Sequence, residues 1–400
     1  MSGGNTPLAY AYNSTEEIAA SANYPWVRLF TVGTPPGSDT PLASLAHPPA
    51  IPWSRAAPGP ASRFSATCWF TGKRLADALG PGVPLGLVES AWGGTSIQVW
   101  LPPSSSASCG APPSYPGGWP TALSACWNSQ TAPFAFNATV SMTISGIVWY
   151  QGESNSLTSV EEAVYYKCAM PLLVSSLRAL FNSPAAHAVI VQLAPWASSA
   201  ANFNEQVARL REAQLESADP PAVGLSTITA VDGGDPHGPI GSIHPRAKKP
   251  VGDRLGGALL THVYSRPTPY AGPRLSSAAV GGGGGGAAIS ATLTFAGVGE
   301  GGLTLIAPST TGPYMNSSVC PQDVGEDLCS GFMLQGDSGA WYAATGALSA
   351  DGGALVLEVG AAAAKEARAV ATSSGWSLWP ITLLYGGGMM PAFPWNVSVL

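Results

Sequence analysis

His244 lies in the run VDGGDPHGPIGSIHPRAKK (231–249), which places two histidines and two aspartates directly after an apolar, strand-like segment, VGLSTITAV (223–231). A neutral imidazole beyond a strand can take the proton of a hydroxyl, a poor nucleophile at its free pKa. His244, in Ser242-Ile243-His244-Pro245, therefore reads as a general base for acyl transfer. The plainer reading makes it a structural residue at the start of the last helix. His237, in the same loop, is at best a substrate contact.

A base of this kind is oriented by a carboxylate, and the candidates are Asp232 and Asp235, upstream in the same loop, and Glu153 in Gln151-Gly152-Glu153-Ser154. Gly93 and Gly94 let backbone N–H groups approach a reacting centre, and Gln151 and Asn155 offer side-chain amides. Such oxyanion donors are worth about 3 kcal/mol each in a transition state. The competing structural readings are a tight turn at Gly93-Gly94 and a loop-bonded carboxylate at Glu153. Trp92, Trp100, Trp149 and Trp196 are core residues by type, though aromatic faces at a pocket rim suit a sugar ring. Arg211 and Gln214 read as surface residues held by an ion pair.

The elements that must position these groups alternate. Helical composition marks 66–80, 161–181, 204–217 and 247–264, with a break or kink expected at Pro171. Short apolar runs at 83–90, 144–150, 188–194 and 223–231 fall between them. Continuous apolar strands separated by long helices predict a parallel sheet covered on both faces, a three-layer α/β/α sandwich. Each strand runs into a loop with polar or glycine content: 89–96, 151–156, 194–196 and 232–238. Ligands of open parallel sheets bind beyond these carboxyl ends. After the Pro-containing linker SRPTPYAGPR the texture changes to short β-prone runs between glycine turns, which predicts a C-terminal β-sandwich. The expected domains are 1–265 and 266–400, with the glycine tract 281–286 as a hairpin tip.

With 46% hydrophobic and 10% charged residues, the 400-residue chain can bury a sizeable core. Its net charge is −6 and its 17 basic residues are scattered, so nothing in it favours nucleic acid as a partner. No apolar run has the length of a membrane span. Metal-ligand spacing is missing among the few histidines and acids, and no cofactor is implied. Of six cysteines, Cys109 with Cys126 and Cys320 with Cys329 enclose turn-rich loops and look like disulfides, leaving Cys68 and Cys168 as buried thiols. Sequons begin at Asn13, Asn137, Asn316 and Asn396. Loop cysteines together with these sequons predict a secreted or lysosomal protein whose signal peptide is missing from this chain.

Three blocks in order, GLVESAWGGTSIQVW, GIVWYQGESN and GSIHPRAKKPVGDRL, resemble the sialate O-acetylesterases, carbohydrate esterases of the SGNH-hydrolase type. The resemblance covers residues 13–265, and ITLLYGGGMMPAFPW is similar to that family's terminal sandwich. It implies an SGNH/flavodoxin-like fold and a serine-nucleophile deacetylase acting on O-acetylated sialic acid or another acetylated glycan, with His244 as base. Many SGNH enzymes carry an aspartate three residues before the histidine. Gly241 stands there in this chain, so the acid must come from another loop or be replaced by a backbone carbonyl; the resemblance to related carbohydrate acetylesterases implies Glu153 ahead of Asp232.

The family's nucleophile is the serine of a Gly-Gln-Ser-Asn-Met run closing the first strand, shortly before a segment like the one that begins at Asn13. The expectation is that Met1 is the methionine of that run, with strand and serine upstream, and that this chain alone is inactive. Ser2 has no turn to support it, and Ser90 lacks an elbow's flanking glycines. Ser338, in Gly-Asp-Ser-Gly, suits a hairpin turn. Two alternatives stay open: a non-catalytic glycan-binding protein, and an acetylesterase acting on xylan or another polysaccharide.

Overall fold

The computed structural model describes residues 6–110, 122–134, 142–198, 203–218, 224–280, 289–308, 318–322, 324–363 and 365–399. Asn137, Asn316, the tract 281–286, Met1 and Ser2 lie outside them. Two compact units form: residues 1–193, 209–228 and 237–270 make the first, and 194–208, 229–236 and 271–400 the second. The second unit thus takes two short segments from within the span expected to be one domain.

The first unit is mixed α/β. Its elements are α1 (Ser14–Ala20), β1 (Val27–Thr31), β2 (Ile51–Arg55), α2 (Pro58–Arg63), α3 (Ala66–Leu79), β3 (Leu85–Glu89), β4 (Gly146–Trp149), α4 (Glu161–Leu180), β5 (His187–Gln192), the later part of α5 (Asn204–Glu216), β6 (Leu225–Thr229) and α6 (Lys248–His262). Among the described residues the strands form two three-stranded sheets, ordered β2-β1-β3 and β4-β5-β6. β1 runs parallel to β3, and β4 parallel to β5, while β2 is antiparallel to β1. The sequence reading had not picked out β1 or β2.

Every residue of β5 is buried, as a strand flanked on both sides and covered on both faces requires. Helix α3 starts where Ser65 Oγ accepts the N–H of Cys68, a side-chain cap that satisfies one orphan donor. Helix α4 runs unbroken through Pro171, against expectation. The carbonyl that a proline in a helix leaves unbonded belongs here to Lys167, an exposed residue, so water can serve it.

The disulfides required a second correction. Cys109 bonds Cys168, not Cys126, with Cα atoms 5.8 Å apart. The loop carrying Cys109 lies along α4, where buried Tyr165 donates from Oη to the Ser106 carbonyl at 3.0 Å. That apposition brings Cys168 to Cys109, and Cys126 is left as a buried thiol. Cys320–Cys329 forms as expected.

The second unit is built mainly of antiparallel strands. One four-stranded sheet joins 274–280, 289–296, 345–348 and 354–359, and another joins 332–336, 341–343, 369–374 and 395–398. Leu293, Leu355 and Leu357 of the first and Phe332, Leu334 and Trp395 of the second share one buried apolar cluster. Gly336-Asp337-Ser338-Gly339 turns between two of these strands, with Gly339 at φ +89°.

Candidate active site

The loops after β3 and β4 are bonded to each other through buried amides. Gln151 donates from Nε2 to the Thr95 carbonyl at 3.0 Å and to Asn155 Oδ1 at 2.8 Å. Asn155 Oδ1 also accepts the Ile97 N–H at 3.0 Å, and its Nδ2 donates to Gln98 Oε1 at 2.9 Å and to Glu162 Oε2 at 2.7 Å. All four are buried. Gly93 and Gly94 form the turn just before Thr95, with Gly94 at φ +77°. Thr95 Oγ1 donates back to the Trp92 carbonyl at 2.6 Å and accepts from Trp100 Nε1 at 2.9 Å. The Gly93-Gly94 turn is therefore closed on its own side and held from β4.

Gln151 and Asn155, read from sequence as amide donors to an oxyanion, have both side-chain N–H groups engaged within this network. Gln151 Oε1, by contrast, is buried and finds no donor among the described residues. Trp100 and Trp149 are buried and meet edge to face at 6.2 Å, which leaves them in the core; Trp92 is half-buried.

The segment after Trp149 is fixed from the other side by α5. Gln214 accepts the Leu193 N–H at 3.0 Å and donates to the Gln151 carbonyl at 2.9 Å, which also accepts Tyr166 Oη at 3.0 Å. Arg211 donates from Nε to the Leu193 carbonyl at 2.8 Å. Both residues are buried, so the expected surface pair is corrected: they stitch the carboxyl ends of β4 and β5. Burial lowers the Arg211 guanidinium to about 9. Gly152 adopts φ +151°, and a Cβ there would meet Gln214 Nε2 at 2.8 Å. Only glycine fits that turn.

Glu153 is 6% exposed, yet its carboxylate accepts no hydrogen bond from the described residues; the bonds at this residue go to its backbone carbonyl, from the N–H and Oγ of Ser156. The loop-bonded reading does not hold, and the structure does not hydrogen-bond Glu153 to His244 either. Its charge acts on Tyr150, whose phenol is pushed up mainly by burial and then by Glu153. Asp232 is buried in the segment 229–236, which belongs to the second unit.

His244 is half-buried in a turn in which its N–H donates to the Gly241 carbonyl at 3.0 Å. Gly241 sits at φ +96°, a conformation that an aspartate would strain, and this accounts for glycine at that place. The loop is pinned at its far end. The Tyr12 N–H donates to the Arg246 carbonyl, and the Arg246 guanidinium lies 4.7 Å above the Tyr12 ring. Buried Lys248 places Nζ 5.1 Å from the ring centre of Tyr150, the residue before Gln151. The structure thus gathers Gly93, Gly94, Gln151 and Asn155 directly, and ties the His244 loop to them through Lys248.

Ser90 Oγ approaches Gln130 Oε1 at 3.4 Å. Ser338 donates to Glu366 from both Oγ and N, and Tyr342 Oη donates to the same carboxylate at 2.7 Å. Ser338 is a turn residue bound to an acid in the second unit.

With this geometry in place, known carbohydrate esterases are among the proteins that the chain resembles. Residues 44–237 match the family model for carbohydrate esterases described as sialic acid-specific acetylesterases. The sialate O-acetylesterases of Pongo abelii and Homo sapiens are each 30% identical over 265 residues, covering 61% of this chain and 48% of theirs. The chain spans about half the length of these relatives. A carbohydrate acetylesterase from Xanthomonas citri superposes with a TM-score of 0.75 at 25% identity, covering 100% of this chain and 79% of that one. Somewhat under half of the chain thus matches the family model for sialic acid-specific acetylesterases, and the curated relatives and the solved neighbour support the same group of carbohydrate esterases.

Proposed function

We propose that this chain carries the site of a sialate O-acetylesterase on an SGNH-type α/β/α domain, 1–265, followed by a β-sandwich, 266–400. The observation that carries the reading is the convergence in one unit of the Gly93-Gly94 turn, the Gln151–Asn155 loop and the His244 loop, within and just beyond the region that matches the family. The family's name and its relatives' names support O-acetylated sialic acid as the substrate. Acetylated xylan or another polysaccharide is the alternative.

His244 takes the proton of a serine hydroxyl as that oxygen attacks the acetyl carbonyl. The oxyanion is met by backbone N–H groups at Gly93 and Gly94, with Gln151 and Asn155 holding that turn. Collapse expels the sugar oxygen, which receives the proton from His244, and water then releases acetate by the same steps reversed. Glu153 or Asp232 supplies the carboxylate that steadies the imidazolium. Of the serines weighed from sequence, Ser90 is turned to Gln130 and Ser338 to Glu366, which supports a reading in which this chain binds acetylated glycan without turning it over. Two disulfides and the sequons support a secreted or lysosomal setting, and among the described residues no helix is long and apolar enough to cross a membrane.

The test is ligand binding and acetate release, followed by NMR, on O-acetylated sialic acid and on acetylated xylan. Saturable binding of the sialic acid without release is expected. Release that disappears in His244→Ala would keep the esterase and overturn the inactivity. A chain that neither binds nor hydrolyses either compound would overturn the reading.

A further inference from the structure

Glu162, in the first turn of α4, is 0% exposed, and among the described residues its carboxylate meets neutral donors, two side-chain amides and the Thr158 hydroxyl. Gln98 Nε2 lies 3.2 Å and 2.9 Å from its two oxygens, and Asn155 Nδ2 lies 2.7 Å from Oε2. Among the described residues no lysine, arginine or histidine forms an ion pair with it. A carboxylate buried without a cation is costly, and a packed apolar side chain at the same place would not carry that cost. Its presence calls for something only an obligate acceptor supplies.

That something is direction. A primary amide can be turned over, exchanging its oxygen for its nitrogen, and a ring of amides alone has two senses of bonding. Here the donor-only Ile97 N–H and the acceptor-only Thr95 carbonyl favour one sense at Asn155 Oδ1 and Gln151, and the acceptor-only carboxylate enforces the same sense at Asn155 Nδ2 and Gln98. Asn155 must turn Nδ2 toward Glu162, which leaves Oδ1 to receive the Ile97 N–H and Gln151 Nε2. Gln151 must then present its second N–H to the Thr95 carbonyl. Gln98 is fixed by the same acid.

We propose that Glu162 is a positioning residue whose buried carboxylate sets the polarity of the Gln98–Asn155–Gln151 amide relay, and so holds the 93–98 loop that presents the Gly93 and Gly94 N–H groups to substrate. Its bearing on catalysis rests on the esterase reading above; its hold on the loop does not. Burial also raises this carboxyl's pKa, against the lowering effect of Asn155, Gln98 and Thr158. A proton on it would turn an acceptor into a donor and set two donors against each other.

The experiment is amide hydrogen exchange on the 400-residue protein. Glu162→Gln removes the acceptor-only end of the network and sets an N–H against one of its donors, and loss of one buried hydrogen bond corresponds to about ten-fold faster exchange. That acceleration is expected at 93–98, with β5 unchanged. Glu162→Gln combined with Asn155→Asp reverses the polarity and offers every group a partner again once Gln98 turns over. Protection at 93–98 should return in this double variant. Unchanged exchange in Glu162→Gln, acceleration spread evenly through the first unit, or a double variant no better than the single would each overturn the proposal. Should Glu162→Gln fail to fold, a folded and protected double variant supports it, and an unfolded one overturns it. Wild-type protein that binds no acetylated sugar would sink the functional reading and leave these outcomes intact.

Discussion

The two units hold their loops by different means. In the first, the ties join residues far apart in sequence: Gln98 to Glu162, Gln214 to Gln151, and Cys109 to Cys168 across 59 residues. In the second they are more local: Cys320 to Cys329 across 9 residues, and Ser338 and Tyr342 to Glu366. The carboxylates differ in the same way. Burial raises Glu162, whereas hydroxyl and N–H donors from Ser338, with Tyr342 after them, hold Glu366 down at about 2. A motif that reads as chemistry, Gly-Asp-Ser-Gly, does architectural work, and an unremarkable Glu-Glu pair supplies the acid beneath the candidate site. Chemistry collects where distant segments must meet.

The sharpest test of this contrast is to cut each disulfide. Closing a loop restricts the unfolded chain more when the loop is longer, so Cys109→Ser with Cys168→Ser should cost about 4 kcal/mol, against about 2.5 kcal/mol for Cys320→Ser with Cys329→Ser. Urea unfolding monitored separately in each unit checks this, and equal losses would erase the distinction. Next in size is Gly152→Ala. The strained φ and the contact with Gln214 predict a loss of about 2 kcal/mol in the first unit with none in the second, read from the same curves.

A smaller effect separates the units by pH. His187 stacks on His262 at 4.1 Å and bonds Ser226 Oγ at 2.9 Å, while His262 bonds Tyr270 Oη. Burial, then His262 and Arg178, lowers His187 from 6.5 to about 4. The folded state thus favours the neutral ring. Its contribution is complete above about pH 6.5, shrinks as pH falls toward 4, and changes no further below that. Melting temperatures from pH 7.5 to 4.5 should fall less steeply in His187→Gln than in wild type.

Glu366 belongs to the opposite case of a depressed acid, with stability present above about pH 4.5 and lost as pH falls through about 2. Glu366→Gln should lower the melting temperature of the second unit slightly at neutral pH and flatten its acid limb. The first unit's melting should not move.

Much of the fold was legible because periodicity and caps are local. The segments read at 66–80, 83–90, 204–217 and 247–264 became α3, β3, α5 and α6 with ends shifted by a few residues at most. β1 and β2 were missed: β2 exposes three of its five residues and is an edge strand, so it carries no continuous apolar run. At the site, the loops that meet were legible from their place after strands. The state of Gln151 and Asn155 was not, because an amide's free N–H depends on neighbours more than 50 residues away. Arg211 and Gln214 read as surface residues because a charged and a polar side chain on a helix ordinarily face solvent, and their burial is set by the ends of β4 and β5 that they bond. Glu162 gave none, since an acid in a helix's first turn is ordinary.

Sequence by itself determined the alternation of strands and helices, the loops that carry polar groups, the change of texture after residue 265 and the kinship of the three blocks. These depend on side-chain type and on spacing along the chain. Tertiary structure alone decided that Cys109 finds Cys168, that Arg211 is buried, that Gly241 must be glycine, and which way each amide of the Gln98–Asn155–Gln151 ring points. Each of these is fixed by which groups face one another when water is excluded, and a linear spacing does not contain that information.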